Sequence, residues 1–219
     1  MSIASSIDHA FLKPVATIAD IENLCREAKE YGFRSACVPP LFVKKAKEIL
    51  AGSHVKLATV VGFPFGYSAI EAKLAETVLA IVDGADEIDM VINITALKNA
   101  DWQYLGKEIN TILPVVKNRN LTMKLILETG ILTDKEIITC CDIYGAAGVD
   151  FIKTSTGFAA GATAETVALL RKHLADAIKI NATSPVSTYD EARKLLEAGA
   201  YSISPANSIQ IVKESPVLN

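Results

Sequence analysis

Gly148-Val149-Asp150-Phe151-Ile152-Lys153-Thr154-Ser155-Thr156-Gly157-Phe158 is the stretch on which the reading of this chain turns. Its first half is short and apolar, as a buried strand is, and its second half is a hydroxyl-rich turn closed by glycine. Lys153 stands between Ile152 and Thr154. An ammonium inside an apolar strand is costly unless it is paired or gives up its proton, and desolvation favours the neutral, nucleophilic amine. The plainer alternative is a lysine at a strand end whose head snorkels to water. The stretch alone leaves both readings open.

Working outward, the same strand-then-helix unit recurs on either side. Strands are expected around Ile7 and over 35–38, 55–61, 87–93, 124–128, 150–156, 177–182 and 201–204. Helices are expected over 18–31, 42–50, 68–82, 102–117, 134–144, 163–174, 189–197 and 206–213. Residues 55–61 are apolar without alternation, the pattern of a strand covered on both faces. Thr17 reads as an N-cap, and Pro114 predicts a late kink or break in its helix. Gly32, Gly84, Gly148 and Gly199 each stand where a helix hands over to a strand, a position that suits a left-handed C-cap. About eight such units without a linker predict an α/β fold, a TIM (β/α)8 barrel over residues 1–219 as one domain. A doubly wound open sheet would bring a glycine-rich turn after the first strand, and none is present.

Composition narrows the function classes. Of 219 residues half are hydrophobic, which suits a sizeable core, and the formal charge of -3 with no basic, aromatic-laced stretch speaks against a nucleic-acid partner. No apolar run approaches the ~20 residues of a membrane span. Residues 1–13 have neither the basic start nor the apolar segment of a signal peptide, so a cytoplasmic protein is expected. Cys25, Cys37, Cys140 and Cys141 lack C-x-x-C spacing and read as reduced, packed thiols, while His9, His54 and His173 are too scattered for a zinc site.

In such a barrel, reactive side chains come from the C-terminal ends of several strands. The polar residues set into apolar strands are Asp8, Asp89, Glu128, Lys153, Lys179 and Asn181. Asp89, between Ile88 and Met90, is either a hydrogen-bonded structural carboxylate or the acid of a site. Lys124 and Glu128 frame one strand and are read as pairing with each other or with neighbours. A lysine in one strand with an acid in another fits Schiff-base chemistry, in which the amine adds to a carbonyl and the acid moves protons.

Five stretches carry a resemblance. They are Ile7-Asp8-His9 with Leu12-Lys13-Pro14, Val60-Val61-Gly62-Phe63-Pro64, Gly84-Ala85-Asp86-Glu87-Ile88-Asp89-Met90-Val91, Leu127-Glu128-Thr129, and Phe151-Ile152-Lys153-Thr154-Ser155-Thr156-Gly157-Phe158. Over nearly its whole length the chain resembles the deoxyribose-phosphate aldolase family of class I aldolases. The resemblance implies an aldehyde-lyase of carbohydrate catabolism that cleaves 2-deoxyribose 5-phosphate reversibly to acetaldehyde and glyceraldehyde 3-phosphate. It needs neither metal nor coenzyme, so no cofactor is expected. Lys153 would form the Schiff base and Asp89 would be the acid of the proton relay. Asp8, Thr156, Asn181 and Ser204 would bind substrate, and Cys37 would stand near the site. A small aldehyde or sugar phosphate is the expected partner, with a homodimer as the expected assembly.

The resemblance departs in one region. Where the family has Val-Lys-Ala-Ser-Gly-Gly-Ile-Arg-Thr, this chain reads Ile180-Asn181-Ala182-Thr183-Ser184-Pro185-Val186-Ser187-Thr188. The family's second lysine falls on Asn181, with Lys179 two residues earlier as a possible stand-in. Ser184-Pro185 replaces a glycine pair, and Ser204-Pro205-Ala206-Asn207 replaces a second glycine-bearing turn, so the phosphate cradle is expected to be remodelled. The tail over 213–219 carries no tyrosine. Two further readings remain beside the aldolase: a Schiff-base lyase for non-phosphorylated aldehydes, and a silent carbonyl- or sugar-binding barrel.

Overall fold

A computed structural model describes residues 2–216; of the tyrosine-free tail, residues 217–219 lie outside the described part. Eight parallel strands follow one another around a barrel: β1 (Asp8–Ala10), β2 (Ser35–Val38), β3 (Lys56–Val61), β4 (Glu87–Val91), β5 (Thr122–Ile126), β6 (Phe151–Lys153), β7 (Lys179–Ser184) and β8 (Ser202–Pro205). Each pairs in parallel with the next, and a parallel bridge between Ile7 and Ile203 brings the last strand back to the first. The expected TIM barrel is thus the fold. The connecting helices are α1 (Ile18–Tyr31), α2 (Val43–Leu50), α3 (Ile70–Asp83), α4 (Ile94–Lys98), α5 (Trp102–Lys117), α6 (Asp134–Ala147), α7 (Ala164–His173), α8 (Tyr189–Glu197) and α9 (Ser208–Glu214).

Local chemistry explains the handovers. Thr17 caps α1 in a reciprocal box with Asp20, and the same device opens α6 (Thr133, Glu136) and α8 (Thr188, Glu191). At the other end, Gly32 and Gly148 take φ of 68° and 76°, a region closed to most side chains, and turn the chain into β2 and β6.

Three expectations are corrected. Pro114 does not break α5, which continues to Lys117. It stands in the last turn with Leu113 and Val116 buried beside it, and their packing holds the helix although proline removes one N–H donor. The strand expected over 87–93 stops at Val91, because the Asn93 side chain accepts from Ala96 N–H at 2.9 Å and caps α4 instead. The strand expected over 150–156 is shorter, and residues after Lys153 run onto the barrel rim. The main core lies between helices and sheet, with a smaller cluster of Cys37, Ala58 and Val60 alongside.

Candidate active site

Strand register sets the site. Asp89 on β4 is level with Lys124 on β5, and Lys153 on β6 is level with Ile126, two residues further along β5. Residues two apart on a strand share a face and lie roughly 6.6 Å apart. Lys153 therefore leaves its strand one level above Asp89 and Lys124 and reaches down into the barrel. Its Nζ donates to Asp89 Oδ2 at 2.8 Å, and Lys124 Nζ lies 3.1 Å from Asp89 Oδ1. The two residues singled out as the reactive pair are in contact.

Below them is a buried ionic column. Lys124 Nζ is 2.5 Å from Glu87 Oε2, and Arg34 clamps both Glu87 oxygens at 2.8 and 2.9 Å while its Nε donates to Asp8 Oδ1 at 2.5 Å. Asp8, Glu87 and Asp89 thus face Arg34, Lys124 and Lys153, three charges of each sign. Buried charges are tolerated when paired in this way, and the loss of one partner is costly. Of the two pairings the sequence left open, Lys124 takes neighbours, Glu87 and Asp89, rather than Glu128. Glu87 and Arg34 went unnoticed because they read as a strand start and a loop residue.

The electrostatics correct one expectation. Burial, the largest single influence, pulls the Lys153 ammonium down, but the charge and hydrogen bond of Asp89, with Cys37 behind it, together hold the amine above the ordinary lysine value. Burial works to raise Asp89, yet Lys124 and then Lys153 hold it below the usual carboxylate range. The resting site is an ion pair, and Lys153 must pass a proton on before it can attack. Cys37 is a packed thiol, as read: burial pushes it up to about 12.

Above Lys153 opens a cavity of about 530 Å³ at the C-terminal end of the strands, lined among others by Lys13, Thr156, Phe158, Ser184, Ser204 and Ala206. Thr156 is locked in place. Its N–H donates to Glu128 Oε2 at 3.1 Å, its hydroxyl donates to the same oxygen, and Phe158 N–H donates back to Thr156 Oγ1 at 3.1 Å. Glu128 reaches this position through a left-handed backbone, φ 60°, an unusual conformation for a non-glycine residue.

Of the expected binding residues, Thr156 and Ser204 line the cavity, whereas Asp8 and Asn181 lie beneath its floor. Asn181 Nδ2 donates to Asp8 Oδ2 at 2.6 Å and to Ser202 Oγ at 2.9 Å, and its Oδ1 accepts from Ser204 Oγ at 3.2 Å. Lys179 is no stand-in for a second lysine. Its ammonium sits 4.0 Å from the Tyr201 ring centroid, in a second cavity at the opposite, N-terminal mouth.

The rim formed by the ends of β7 and β8 has been rebuilt as a unit. Ser184 Oγ donates to Ala162 O at 2.9 Å, and a Cβ on Gly161 would meet Pro185 Cδ at 2.4 Å, so this loop accepts proline beside it only because residue 161 is glycine. At the start of α8, Ser187 N–H and Thr188 N–H donate to Glu191 Oε2, and Tyr189 N–H donates to Glu214 Oε2. These donors are engaged by the protein's own carboxylates.

A buried lysine–carboxylate pair thus lies under a cavity at the C-terminal mouth of the barrel, and the comparisons with known proteins give the family. A family model described as DeoC/LacD family aldolase matches residues 3–200. The chain belongs to this family. It is 46% identical to the deoxyribose-phosphate aldolase of Caldanaerobacter subterraneus subsp. tengcongensis over 216 residues, covering 98% of this chain and 94% of that one. With the enzyme of the same name from Caldicellulosiruptor saccharolyticus it shares 48% over 214 residues, 97% of each chain. Among solved structures, a putative deoxyribose-phosphate aldolase from Coccidioides immitis superposes with a TM-score of 0.92 at 36% identity, covering 97% of this chain and 85% of that one. The deoxyribose phosphate aldolase of Aeropyrum pernix, described as tetrameric, gives 0.90 at 31%, covering 96% and 89%.

Proposed function

We propose that Lys153 is the Schiff-base nucleophile of this DeoC/LacD aldolase and Asp89 its proton acceptor and donor. The chain is an aldehyde-lyase of the deoxyribose-phosphate aldolase type, and relatives 45–48% identical over nearly the whole chain favour that activity over the two alternatives left open by the sequence. The observation that carries the residue assignment is the 2.8 Å contact between Lys153 Nζ and Asp89 Oδ2 at the base of the cavity.

In the cleavage direction, Asp89 takes a proton from the Lys153 ammonium, and the freed amine adds to the aldehyde carbon of open-chain 2-deoxyribose 5-phosphate. Asp89 returns the proton to the carbinolamine oxygen, water leaves, and an iminium remains on Nζ. Asp89, a carboxylate again, takes the C3 hydroxyl proton as the C2–C3 bond breaks. Glyceraldehyde 3-phosphate departs, and the bonding electrons move to the iminium to leave an enamine. Protonation at C2 and hydrolysis release acetaldehyde and restore Lys153. Thr156 and Ser204, on the cavity wall, meet substrate oxygens. Asp8 and Asn181 support the floor from below, and Lys13, the second ammonium lining the cavity, faces the phosphate.

No helix among the described residues is long and apolar enough to cross a membrane. Self-association as a homodimer is proposed through the exposed Val78, Leu79 and Val82 of α3, and sedimentation of a Leu79→Glu variant tests it. The activity itself is tested by incubating the protein with 2-deoxyribose 5-phosphate. Equimolar acetaldehyde and glyceraldehyde 3-phosphate are expected, and neither product in the presence of folded protein would overturn the reading.

A further inference from the structure

The amine that starts the reaction is held as an ammonium by Asp89, so something must loosen that hold. Among the described residues, the charged and titratable groups around Lys153 come from four strands and one turn, with Lys13 lining the cavity above. Asp8 comes from β1, Cys37 from β2 and Arg34 from the turn before it, Glu87 and Asp89 from β4, and Lys124 from β5. The register partner of Lys153 on β7 is Asn181, a neutral amide whose donors are spent on Asp8 and Ser202. Within this set one ammonium reaches the carboxylate that holds Lys153. Lys124 Nζ lies 3.1 Å from Asp89 Oδ1, on the opposite oxygen from the one Lys153 uses, and only 1% of its side chain is exposed.

We propose that Lys124 is the positioning residue of the aldol chemistry: it shares Asp89 with Lys153 and so weakens the hold of that carboxylate on the Lys153 proton. The inference rests on the Schiff-base reading above and says which residue makes that reading work in this chain. With Lys124 present, Asp89 keeps an ammonium beside Oδ1 when Lys153 loses its proton. Without Lys124 the same proton loss leaves Asp89 with no ammonium in contact. Asp89 would then have Lys153 as its one ammonium partner and would keep the proton there. The direction of the Asp89 shift agrees, since after burial the charge of Lys124 is the largest influence on that carboxylate and exceeds that of Lys153. Lys124 touches no substrate, because Asp89 and the level of Lys153 lie between it and the cavity. Its signal in the sequence was the same as that of Lys153: a lone lysine among Met123, Leu125 and Ile126.

The test is the rate of borohydride trapping of acetaldehyde on Lys153 as a function of pH, in the full chain. The variants are Lys124→Met, Lys124→Arg, and Lys124→Met combined with Glu87→Gln, which removes the carboxylate that the first change would strand. Wild type is expected to trap near neutral pH. Lys124→Met and the double variant are expected to trap at least about tenfold more slowly at pH 7, with the midpoint raised by a unit or more and the rate recovering in alkali. Lys124→Arg, which keeps the charge, is expected to keep the wild-type midpoint. A wild-type midpoint in folded Lys124→Met or in the double variant overturns the proposal. So does a slow rate that alkali fails to restore, because a purely structural lysine would lower the rate at every pH alike. If wild type itself yields no Lys153 adduct at any pH, the Schiff-base reading fails first and takes this inference with it.

Discussion

Two of the barrel's buried lysine–carboxylate pairs are of nearly equal length and opposite character. Lys153 Nζ to Asp89 Oδ2 is 2.8 Å, and Lys73 Nζ to Glu108 Oε1 is 2.7 Å. The second pair joins α3 to α5 and is closed on all sides. Lys73 Nζ also donates to Val91 O at 2.7 Å, and Glu108 Oε2 accepts from Asn93 N–H at 3.1 Å. Gly62 gives it room, since a Cβ there would fall 2.7 Å from Lys73 Cε. In the closed pair burial dominates: it lowers Lys73 and raises Glu108, drawing both partners toward their neutral forms. In the pair under the cavity the directions reverse: Asp89 and Cys37 together outweigh burial at Lys153, and Lys124 adds a second positive charge that holds Asp89 down. Burial of a lysine therefore marks neither function nor structure. A cavity above it and a shared carboxylate beside it do.

The largest expected effect separates the pairs outright. Lys153→Met is expected to lower kcat/KM for 2-deoxyribose 5-phosphate by at least about 10⁴-fold while the protein stays folded. Lys73→Met, in contrast, strands a buried carboxylate and is expected to cost about 3–5 kcal/mol in urea unfolding, with kcat per folded molecule near wild type. If Lys73→Met abolishes turnover in folded protein, the distinction is broken. Asp89→Asn keeps the shape but cannot accept a proton, and a fall in kcat of about 10²–10⁴-fold is expected. Thr156→Val removes a hydroxyl bonded to a buried carboxylate, worth about 1.5–3 kcal/mol, and should appear as raised KM and lowered Tm together.

The smallest effect is in the pH dependence of stability, and it has opposite signs in the two pairs. Asp89 is held below its ordinary 3.8, so it contributes stability above that value and loses it as pH falls toward its depressed one. Glu108 is raised above its ordinary 4.5, so its contribution is full below that value and declines as pH climbs through the raised one. In thermal melts between about pH 3 and 6, Asp89→Asn should flatten the acid loss of stability, and Glu108→Gln should steepen the gain with pH. Equal slopes in both variants would contradict the assigned directions.

Much of this was legible in the residues. Glycines at four helix-to-strand joins and an unalternating strand at residues 55–61 gave the barrel, and a lone lysine and a lone aspartate in apolar strands gave the reactive pair. What escaped was partnership. Lys124 carried the same mark as Lys153, but its choice of Asp89 and Glu87 over Glu128 depends on strand register. Lys73 went unmarked because polar residues on helices are ordinarily solvated, although it shares the buried face of α3 with Ile70, Thr77 and Ala80. Lys179 looked close to the site in sequence, yet two residues along β7 carry it to the other mouth of the barrel. Helix α4 was missed because Ile92-Asn93-Ile94 continues the alternation of a strand, and only the Asn93 cap ends it.

The most direct measurement is to reduce the wild-type protein with borohydride in the presence of acetaldehyde near pH 7 and map the modified peptide by mass spectrometry. The account predicts one ethyl adduct, on Lys153, with Lys124 and Lys73 unmodified. An adduct on another lysine, or none on folded protein, would contradict it.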